Sequence, residues 1–215
     1  MASDARVVRH FDADAKRFDA IYEEGKGPVA RFIDHVWRGV VRRRLDFALE
    51  RLAPLEGKTV LDVGCGSGRF CIAFASAGAK RVVGVDFAPA MIDIARDLSA
   101  RAGVSERVEY RVGAFPEAVP DGPFDASTAI GFFDYVAEPV PILAAMRAKT
   151  RGTMIMSFPK ALEWRVPIRR LRFKLLGCPL YLYSERRVRE QLAAAGIARY
   201  ERISFDRDWL VVAQS

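Results

Sequence analysis

The segment 58–70 places a glycine-rich turn directly after a short apolar strand, and this arrangement limits the possible fold more than any other part of the chain. Residues 60–63 predict a buried strand, and the apolar spacing of residues 70–77 predicts a helix soon afterwards. The three intervening glycines, at alternate positions, are Gly64, Gly66 and Gly68. Glycine permits a sharp turn and lets a ligand approach the main chain without meeting a Cβ atom. The segment therefore predicts a strand–loop–helix unit whose loop faces a ligand.

Two carboxylates belong to this unit and its neighbour. Asp62 lies at the end of the first strand, and Asp86 ends a second apolar strand, 81–86. Ligands of open α/β sheets bind at the carboxyl ends of the strands, so both carboxylates are expected at the ligand crevice. The spacing Asp-x-Gly-x-Gly-x-Gly differs from the dinucleotide fingerprint, and no Gly-Lys-Ser/Thr ending marks a phosphate-binding loop. An acid beside the loop suits a cationic ligand, and Asp86 is well placed for ribose hydroxyls.

Strand and helix patterns alternate along the rest of the chain. We predict strands near 58–63, 80–86, 107–113, 124–130 and 152–158, with helices at 67–77, 89–102 and 138–148. Such alternation favours a parallel sheet wound on both faces with right-handed crossovers. A helix is then predicted at 185–195, followed by strands at 198–205 and 209–214. The turn between these last strands is so short that they must pair antiparallel.

The glycine loop and Asp86 together resemble motif I and the second-strand acid of class I S-adenosylmethionine-dependent methyltransferases. The resemblance covers residues 55–215 and implies an α/β, Rossmann-like, doubly wound seven-stranded sheet, mostly parallel with an antiparallel last strand. It also implies S-adenosylmethionine as the cofactor, and no metal.

The resemblance assigns cofactor contacts by position. The loop would hold the methionine part of the cofactor, Asp86 would hold the ribose, and the residues after the second and third strands would hold the adenine. Ala114 stands where the family commonly has an Asp, so the adenine would depend more on backbone groups and on Phe115. The predicted cofactor-binding residues are Asp62, Gly64, Cys65, Gly66, Gly68, Asp86, Phe87, Met91, Ala114, Phe115 and Ile130.

The loop after the fourth strand is expected to face the methyl acceptor. It carries the candidate catalytic residues Asp134 and Tyr135, and Tyr135 could serve as a base or only as a wall. The Asn/Asp-Pro-Pro-Tyr/Phe motif of amino-directed nucleic-acid methylases does not occur here, which disfavours methylation of a base nitrogen. This leaves methylation of an oxygen or of a carbon of a small molecule. Of the two we expect an oxygen, on a small or medium-sized, partly apolar acceptor that could also carry a negative charge.

Residues 1–54 predict an N-terminal helical lid made of helices at 4–26 and 28–53. This lead is loosely similar to those of Mg-protoporphyrin and ubiquinone-pathway O-methyltransferases, which cover the cofactor with such helices. The similarity places Tyr22 and Arg38 near the amino-acid end of the cofactor, with a core or surface position as the equal alternative for each.

A second lid segment is predicted at 159–183, inserted in the methyltransferase domain that spans 55–215. Within it, residues 165–176 interleave basic and bulky apolar side chains. A helix of this kind suits a membrane surface or an anionic substrate. The alternative is a packed helix whose arginine side chains extend to solvent.

Composition leaves two further functional classes open. The net charge of +7 and the run Arg42-Arg43-Arg44 fit a solvated helix face or a contact with nucleic acid, an anionic membrane surface or an acidic substrate. An RNA-directed methyltransferase and a non-catalytic S-adenosylmethionine-binding partner protein are therefore the alternatives, although nucleic acid is disfavoured because no base-stacking platform is evident. Three cysteines without a C-x-x-C pair argue against disulfides and zinc, and a cytoplasmic location is expected.

Overall fold

The computed structural model describes residues 28–119, 121–162, 166–175 and 178–215. Thirteen longer elements follow one another along these residues. The helices are α1 (Pro28–Leu52), α2 (Arg69–Ser76), α3 (Pro89–Arg101), α4 (Pro139–Ala148), α5 (Val166–Leu175) and α6 (Glu185–Ala194). The strands are β1 (Thr59–Val63), β2 (Arg81–Asp86), β3 (Val108–Val112), β4 (Phe124–Ala129), β5 (Thr150–Pro159), β6 (Tyr200–Phe205) and β7 (Asp208–Gln214).

The described strands form one seven-stranded sheet in the order β3-β2-β1-β4-β5-β7-β6. Strands β1 to β5 pair parallel with their neighbours, whereas β7 pairs antiparallel with both β5 and β6. The predicted fold class is therefore confirmed, including the reversed last strand. The strand order changes direction between β1 and β4, and ligands of open α/β sheets bind at such a switch point.

Both faces of the central strands are covered, which explains their nearly continuous apolar sequence. Successive side chains of β1 point to opposite faces of the sheet. Val60 belongs to one hydrophobic cluster with Ala48 and Leu52 of α1. Leu61 belongs to another, with Leu143 of α4. The last part of α1 is thus part of the core, so the predicted lid at 1–54 is not separate from the domain over its whole length.

The helices begin and end close to the residues that the sequence predicts, and individual residues at their ends explain these positions. Helix α3 begins at Pro89, a residue favoured in the first turn because its missing N–H is not needed there. Helix α6 begins after Ser184, whose side chain accepts a hydrogen bond from the Arg187 N–H at 3.2 Å. The chain leaves α6 through Gly196, which has φ +74°. The predicted helix at 4–26 lies outside the described residues.

Gly84, in the middle of β2, lies where the sheet packs against the glycine loop, so replacing it tests that packing. A Cβ atom at this position would lie 2.8 Å from the Cys71 Sγ and 2.9 Å from the Cys65 Sγ. We expect Gly84→Ala to lower the free energy of unfolding by about 1–3 kcal/mol because the core is overpacked. Adding Cys71→Ala should restore part of that loss. Denaturant unfolding of both variants measures the effect.

Gly39 in α1 provides the matched control for this change. A Cβ atom at Gly39 would meet nothing within 4 Å, and the residue lies inside a helix. Gly39→Ala should therefore raise the free energy of unfolding by about 0.5–1 kcal/mol. A Gly84→Ala variant as stable as the wild type would contradict the packing described here.

Candidate active site

A cavity of about 560 Å³ lies at the carboxyl ends of β1, β2 and β4. Its wall is formed by the glycine loop, the ends of β2 and β3, the segment after β4, and side chains from α1 and the β6–β7 turn. The lining residues predicted from the sequence are Asp62, Gly64, Cys65, Gly66, Asp86, Phe87, Met91, Ala114, Phe115, Ile130, Asp134 and Tyr135. The structure thus brings the two carboxylates, the loop and the segment after β4 to one cavity.

The glycine loop is fastened to β2 by its own backbone. The N–H groups of Gly64 and Cys65 donate to the Val85 carbonyl at 2.8 Å and 3.1 Å. Gly64 has φ +71° and Gly66 has φ +51°, a region that side-chain-bearing residues rarely adopt. A Cβ atom at Gly64 would collide with the Phe132 ring, whereas one at Gly66 would meet nothing within 4 Å. The space beside Gly66 is therefore open to a ligand.

Gly68 differs from the other two glycines. The structure places it behind the cavity wall, where a Cβ atom would collide with Tyr110 and lie 2.9 Å from the Ala95 Cβ. Gly68 is needed for the close approach of the loop to β3 and α3, and for the turn into α2 with φ +75°. The predicted cofactor contact of Gly68 does not correspond to its place in the fold, because packing already fills the space at its Cα.

The Asp86 carboxylate connects the loop to the start of α3. One of its oxygens accepts a hydrogen bond from the Gly66 N–H at 2.9 Å, and the other accepts one from the Ala88 N–H at 3.0 Å. Asp86 is buried and lines the cavity. A carboxylate oxygen can accept more than one hydrogen bond, so Asp86 can also receive hydroxyl groups of a ligand.

Asp62 is a buried acid on the same wall. It accepts hydrogen bonds from the Thr128 hydroxyl at 2.6 Å and from the Cys71 thiol at 3.5 Å. Burial nevertheless raises the pKa of Asp62 to about 6, because desolvation disfavours the charged form more than these donors favour it. A cationic ligand group close to Asp62 would compensate for that cost. This environment matches the expectation of a cation near the loop.

Apolar side chains close the cavity on the β2 and β3 side. Met91 is 2% exposed and Phe115 is 5% exposed, and both lie in the wall with the half-buried Phe87. Phe87 packs against the cluster of Met91 and also against that of Phe173 in α5. Ala114 lies in the same wall, so this end of the cavity offers backbone groups and apolar surface to a flat ring.

The turn Phe133–Tyr135 presents the two candidate catalytic residues, and its position is fixed from outside. The Tyr181 N–H donates to the Asp134 carbonyl at 2.8 Å. Tyr183 lies under the turn, with its hydroxyl 3.3 Å from the Phe133 carbonyl oxygen. Asp134 is buried, and the ring of the half-buried Tyr135 lies 6.0 Å from that of Phe173. Residues of segment 159–183 therefore hold in place the turn after β4, which forms this side of the cavity.

Two arginines in the wall were not identified from the sequence as site residues. Arg44 of α1 is 6% exposed and forms an ion pair with the buried Asp208 at the start of β7. Arg207, in the turn before β7, lines the same cavity. The expectation of a solvated helix face is wrong for Arg44, which is buried, whereas contact of this run with an acidic substrate stays a prediction. The signal was its helical spacing from the buried Val40 and Ala48, which places Arg44 on the apolar stripe.

Two predicted contacts cannot be placed at the cavity. Tyr22 lies outside the described residues, and Arg38 belongs to α1 but its side chain is not among those described. Among the residues that the structure covers, no cluster of His, Cys, Asp and Glu side chains could hold a metal ion. None of the helices within the same ranges is long and apolar enough to cross a membrane.

Comparison with known proteins identifies the domain that carries this cavity. Residues 60–151 match the family described as "Methyltransferase domain". Residues 60–151 therefore form a methyltransferase domain. The resemblance noted in the sequence is confirmed over these residues.

Similar proteins include two curated bacterial methyltransferases and one solved structure. The chain is 37% identical over 118 residues to a ubiquinone biosynthesis O-methyltransferase of Xanthomonas campestris pv. campestris, covering 53% of this chain and 48% of that protein. It is 41% identical over 92 residues to a ribosomal protein L11 methyltransferase of Pectobacterium carotovorum, covering 43% of this chain and 29% of that protein.

The structural neighbour resembles this chain over nearly its whole length. Magnesium protoporphyrin IX methyltransferase from Synechocystis PCC 6803, solved with bound S-adenosylhomocysteine (SAH), gives a TM-score of 0.76 at 22% identity and covers 98% of this chain and 99% of its own. This likeness shows the fold. The matches to the two curated relatives span at most about half of either relative, 48% and 29%, so they concern only part of those proteins.

The raised pKa of Asp62 predicts how stability depends on pH. Its folded-state pKa, about 6, exceeds the ordinary value of 3.8 for an aspartic acid, so the folded state holds this proton more tightly than the unfolded state does. The contribution of Asp62 is then fully present below about pH 4 and is lost as the pH rises through 6. Asp62→Asn should therefore increase the free energy of unfolding relative to the wild type at pH 8, by on the order of 2–3 kcal/mol, and not at pH 4. Denaturant titrations at the two pH values test this, and a pH-independent difference would contradict it.

Proposed function

We propose that this protein transfers a methyl group from S-adenosylmethionine to an oxygen of a small or medium-sized, partly apolar and anionic acceptor. The observation that carries the proposal is the hydrogen bond between Gly66 and Asp86. The backbone of Gly66 faces open space, and its N–H donates to the buried Asp86 carboxylate where the strand order reverses. A ligand with a ribose and a positively charged amino-acid part suits this arrangement.

The residues of the cavity fit each part of such a cofactor. Gly64, Cys65 and Gly66 would hold the amino-acid part, with Asp62 close to its positive charge. Asp86 would accept hydrogen bonds from the ribose hydroxyls. Phe87, Met91, Ala114 and Phe115 would surround the adenine, and Ile130 would complete the wall after β4. When bound, S-adenosylmethionine supplies a methyl group on a positively charged sulfur that is open to in-line displacement.

The protein's own part in the reaction is alignment, water exclusion and, for a hydroxyl acceptor, removal of a proton. Phe132, Tyr135, Ile142 and Tyr181 give the acceptor side an apolar wall. Tyr135 and Asp134 are the candidates for proton removal, and an acceptor carboxylate would need neither because it is already ionised. Both residues lie in the turn that segment 159–183 holds in place.

Methylation at oxygen is supported by the name of the Xanthomonas relative and by the missing motif of base-nitrogen methylases. The Pectobacterium relative is named for a ribosomal protein, so matches to part of the chain do not define the acceptor. We therefore propose that the segments outside the family match, 1–59 and 152–215, add to the acceptor specificity of the turn after β4. In this proposal residues 1–54 and 159–183 form the two halves of a lid, and Phe173 of α5 packs against Tyr135 from above.

RNA as the acceptor is less well supported by the surface. Arg44 is buried in an ion pair, and Arg43 is 2.9 Å from Asp206, so two of the three arginines of the run 42–44 have acidic partners within the protein. A membrane-surface role for 165–176 remains a proposal, to be tested by sedimentation with anionic vesicles. A non-catalytic cofactor-binding role is the remaining alternative, and turnover with any acceptor excludes it.

The function is tested by titrating the purified protein with S-adenosylmethionine and, separately, with SAH in a calorimeter. We expect a dissociation constant on the order of micromolar for at least one of them, as is usual for an enzyme's small ligands. Release of SAH is then followed with a panel of carboxylated aromatic and isoprenoid acceptors. Absence of binding by both compounds would refute the proposed cofactor site.

Asp86→Ala tests the junction between the loop and the ribose. The change removes the acceptor of two backbone N–H groups and of the ribose hydroxyls, so we expect affinity for SAH to fall by roughly a hundredfold or more. Asp93→Ala on the exposed face of α3 is the control, since the Asp93 side chain is 73% exposed. Near-wild-type affinity of Asp86→Ala would show that Asp86 does not contact the cofactor.

Tyr135→Phe tests whether the Tyr135 hydroxyl takes part in proton removal or whether Tyr135 only forms part of the cavity wall. If the hydroxyl takes part in proton removal, the turnover number should fall by roughly a hundredfold while the affinity for SAH stays unchanged. The same variant should keep the ring contact with Phe173, so its thermal stability serves as the control for folding. Unchanged turnover would reduce Tyr135 to part of the wall.

A further inference from the structure

We infer that Arg44, Asp208 and Arg207 form a built anion-binding corner of the cavity that receives a carboxylate of the methyl acceptor. We call these three residues the arginine corner. The inference rests on the proposed function, and it assigns the chemistry by which the acceptor is recognised. The run 42–44 stands out in the sequence by its charge, but no motif and no comparison assigns a role to Arg44, Arg207 or Asp208 individually.

Arg44 extends from α1 to the cavity, where an acid at the start of β7 holds its side chain in place. Its guanidinium pairs with the Asp208 carboxylate, which is fully buried. The Arg44 Nη1 would lie 3.7 Å from a Cβ atom built on Gly131, so the guanidinium stands over the tip of β4. Gly131 is fixed in turn, because its N–H donates to the Ser157 hydroxyl at 2.7 Å. The charge is therefore placed rigidly beside the cavity.

The ion pair does not satisfy the guanidinium. A guanidinium carries five N–H donors, and the Arg44 Nε has no hydrogen-bond partner among the described residues although it is buried. The Oδ1 of Asp208 is also buried without a partner there. Neither of these two atoms is exposed to the cavity, so a ligand there would meet the Nη1 edge of the guanidinium, which lies beside Gly131 in the wall. A carboxylate in the cavity would accept a charge-assisted hydrogen bond from that edge.

The position of the arginine corner favours the acceptor over the cofactor as the source of that carboxylate. Asp208 begins β7, which is separated from β2 by β1, β4 and β5. The Arg44 guanidinium itself stands beside Gly131, at the start of the segment after β4 that is proposed to face the acceptor. The SAH titrations described below distinguish an acceptor carboxylate from that of the cofactor, which the loop after β1 is proposed to hold. Arg207 extends the positive charge along the same edge of the cavity.

The other charged groups of the wall strengthen the selectivity for this corner. Asp134 and Glu138 line the acceptor side, and Arg69 lies at the glycine loop. An acceptor carboxylate would be repelled by the two acids, so the arginine corner is the favourable place for it. The remainder of an elongated acceptor would then lie along the apolar wall toward the cofactor. This arrangement selects for an acceptor with an anionic end and an apolar body.

The chain contains a matched pair that serves as a control. Arg43, the neighbour of Arg44, pairs with Asp206 at 2.9 Å, and this pair joins α1 to the same β6–β7 turn. The Arg43 side chain is 60% exposed, however, and does not line the cavity. Arg43→Gln therefore removes a similar charge and a similar connection between elements, without touching the cavity.

The test uses benzoate and its neutral isostere benzamide as probes. Each is titrated into the full-length protein, with and without saturating SAH, for the wild type, Arg43→Gln, Arg44→Lys, Arg207→Gln and the double variant Arg44→Gln/Asp208→Asn. The double variant removes both charges of the buried pair, so it avoids the uncompensated Asp208 carboxylate that would destabilise a single Arg44→Gln change. Thermal unfolding establishes that each variant is folded.

We expect the wild type to bind benzoate about tenfold more tightly than benzamide, as a charge-assisted hydrogen-bonded pair implies. The double variant should lose this preference, Arg207→Gln and Arg44→Lys should retain part of it, and Arg43→Gln should keep it. SAH affinity should stay within about twofold throughout, because none of the three residues of the arginine corner is a proposed cofactor contact.

Three results would overturn the inference. The first is no preference for benzoate in the wild type. The second is a preference that survives in the folded double variant. The third is a loss of SAH affinity in that variant with benzoate binding unchanged, which would assign the guanidinium to the carboxylate of the cofactor. Because the probes are also titrated without SAH, a failure of the proposed cofactor site would be recognised separately, from the SAH titration of the wild type.

Discussion

The hydrogen bonds between Asp86 and the backbone of Gly66 and Ala88 are the interaction on which the cavity depends. They join the loop after β1 to the loop after β2, at the edge of the sheet where the strand order reverses. The Val85 carbonyl reinforces the junction by accepting from Gly64. A carboxylate that organises two loops in this way is already oriented when a ligand arrives, so little freedom is lost on binding.

Buried charge is the recurring cost of this site. Asp62 is buried with a raised pKa, and Arg44 and Asp208 leave polar atoms without partners among the described residues. Each of these costs stability in the absence of a ligand. A cationic ligand group would lower the cost at Asp62, and a ligand carboxylate would interact favourably with Arg44. The cavity therefore has an acidic side at the glycine loop and a basic corner near β7. That separation of charge matches the proposed pairing of a cationic cofactor with an anionic acceptor.

The sequence predicted most of the fold because its signals are local. A hydrophobic strand, a run of glycines and a periodic helix are each readable within about ten residues, and the turn 206–207 between β6 and β7 forces those strands to pair antiparallel. The cavity wall was predicted at Asp62, Asp86 and Tyr135 because residues at the ends of neighbouring parallel strands must meet. The position of those side chains in the alternating strand–helix pattern was sufficient to predict that they lie in the cavity wall.

The tertiary structure decided what depends on pairs distant along the chain. Arg44 and Asp208 are 164 residues apart, and only the packing of α1 beside β7 reveals that one arginine of a basic run is buried. Gly68 likewise belongs to the packing against Tyr110, which its place in the motif could not show. The sequence by itself determined the class of fold, because local pattern defines it, and its glycine loop and Asp86 carry the resemblance that implies the cofactor. The arginine corner depends on which side chains, distant along the chain, come together in one buried space, and only the folded chain determines that.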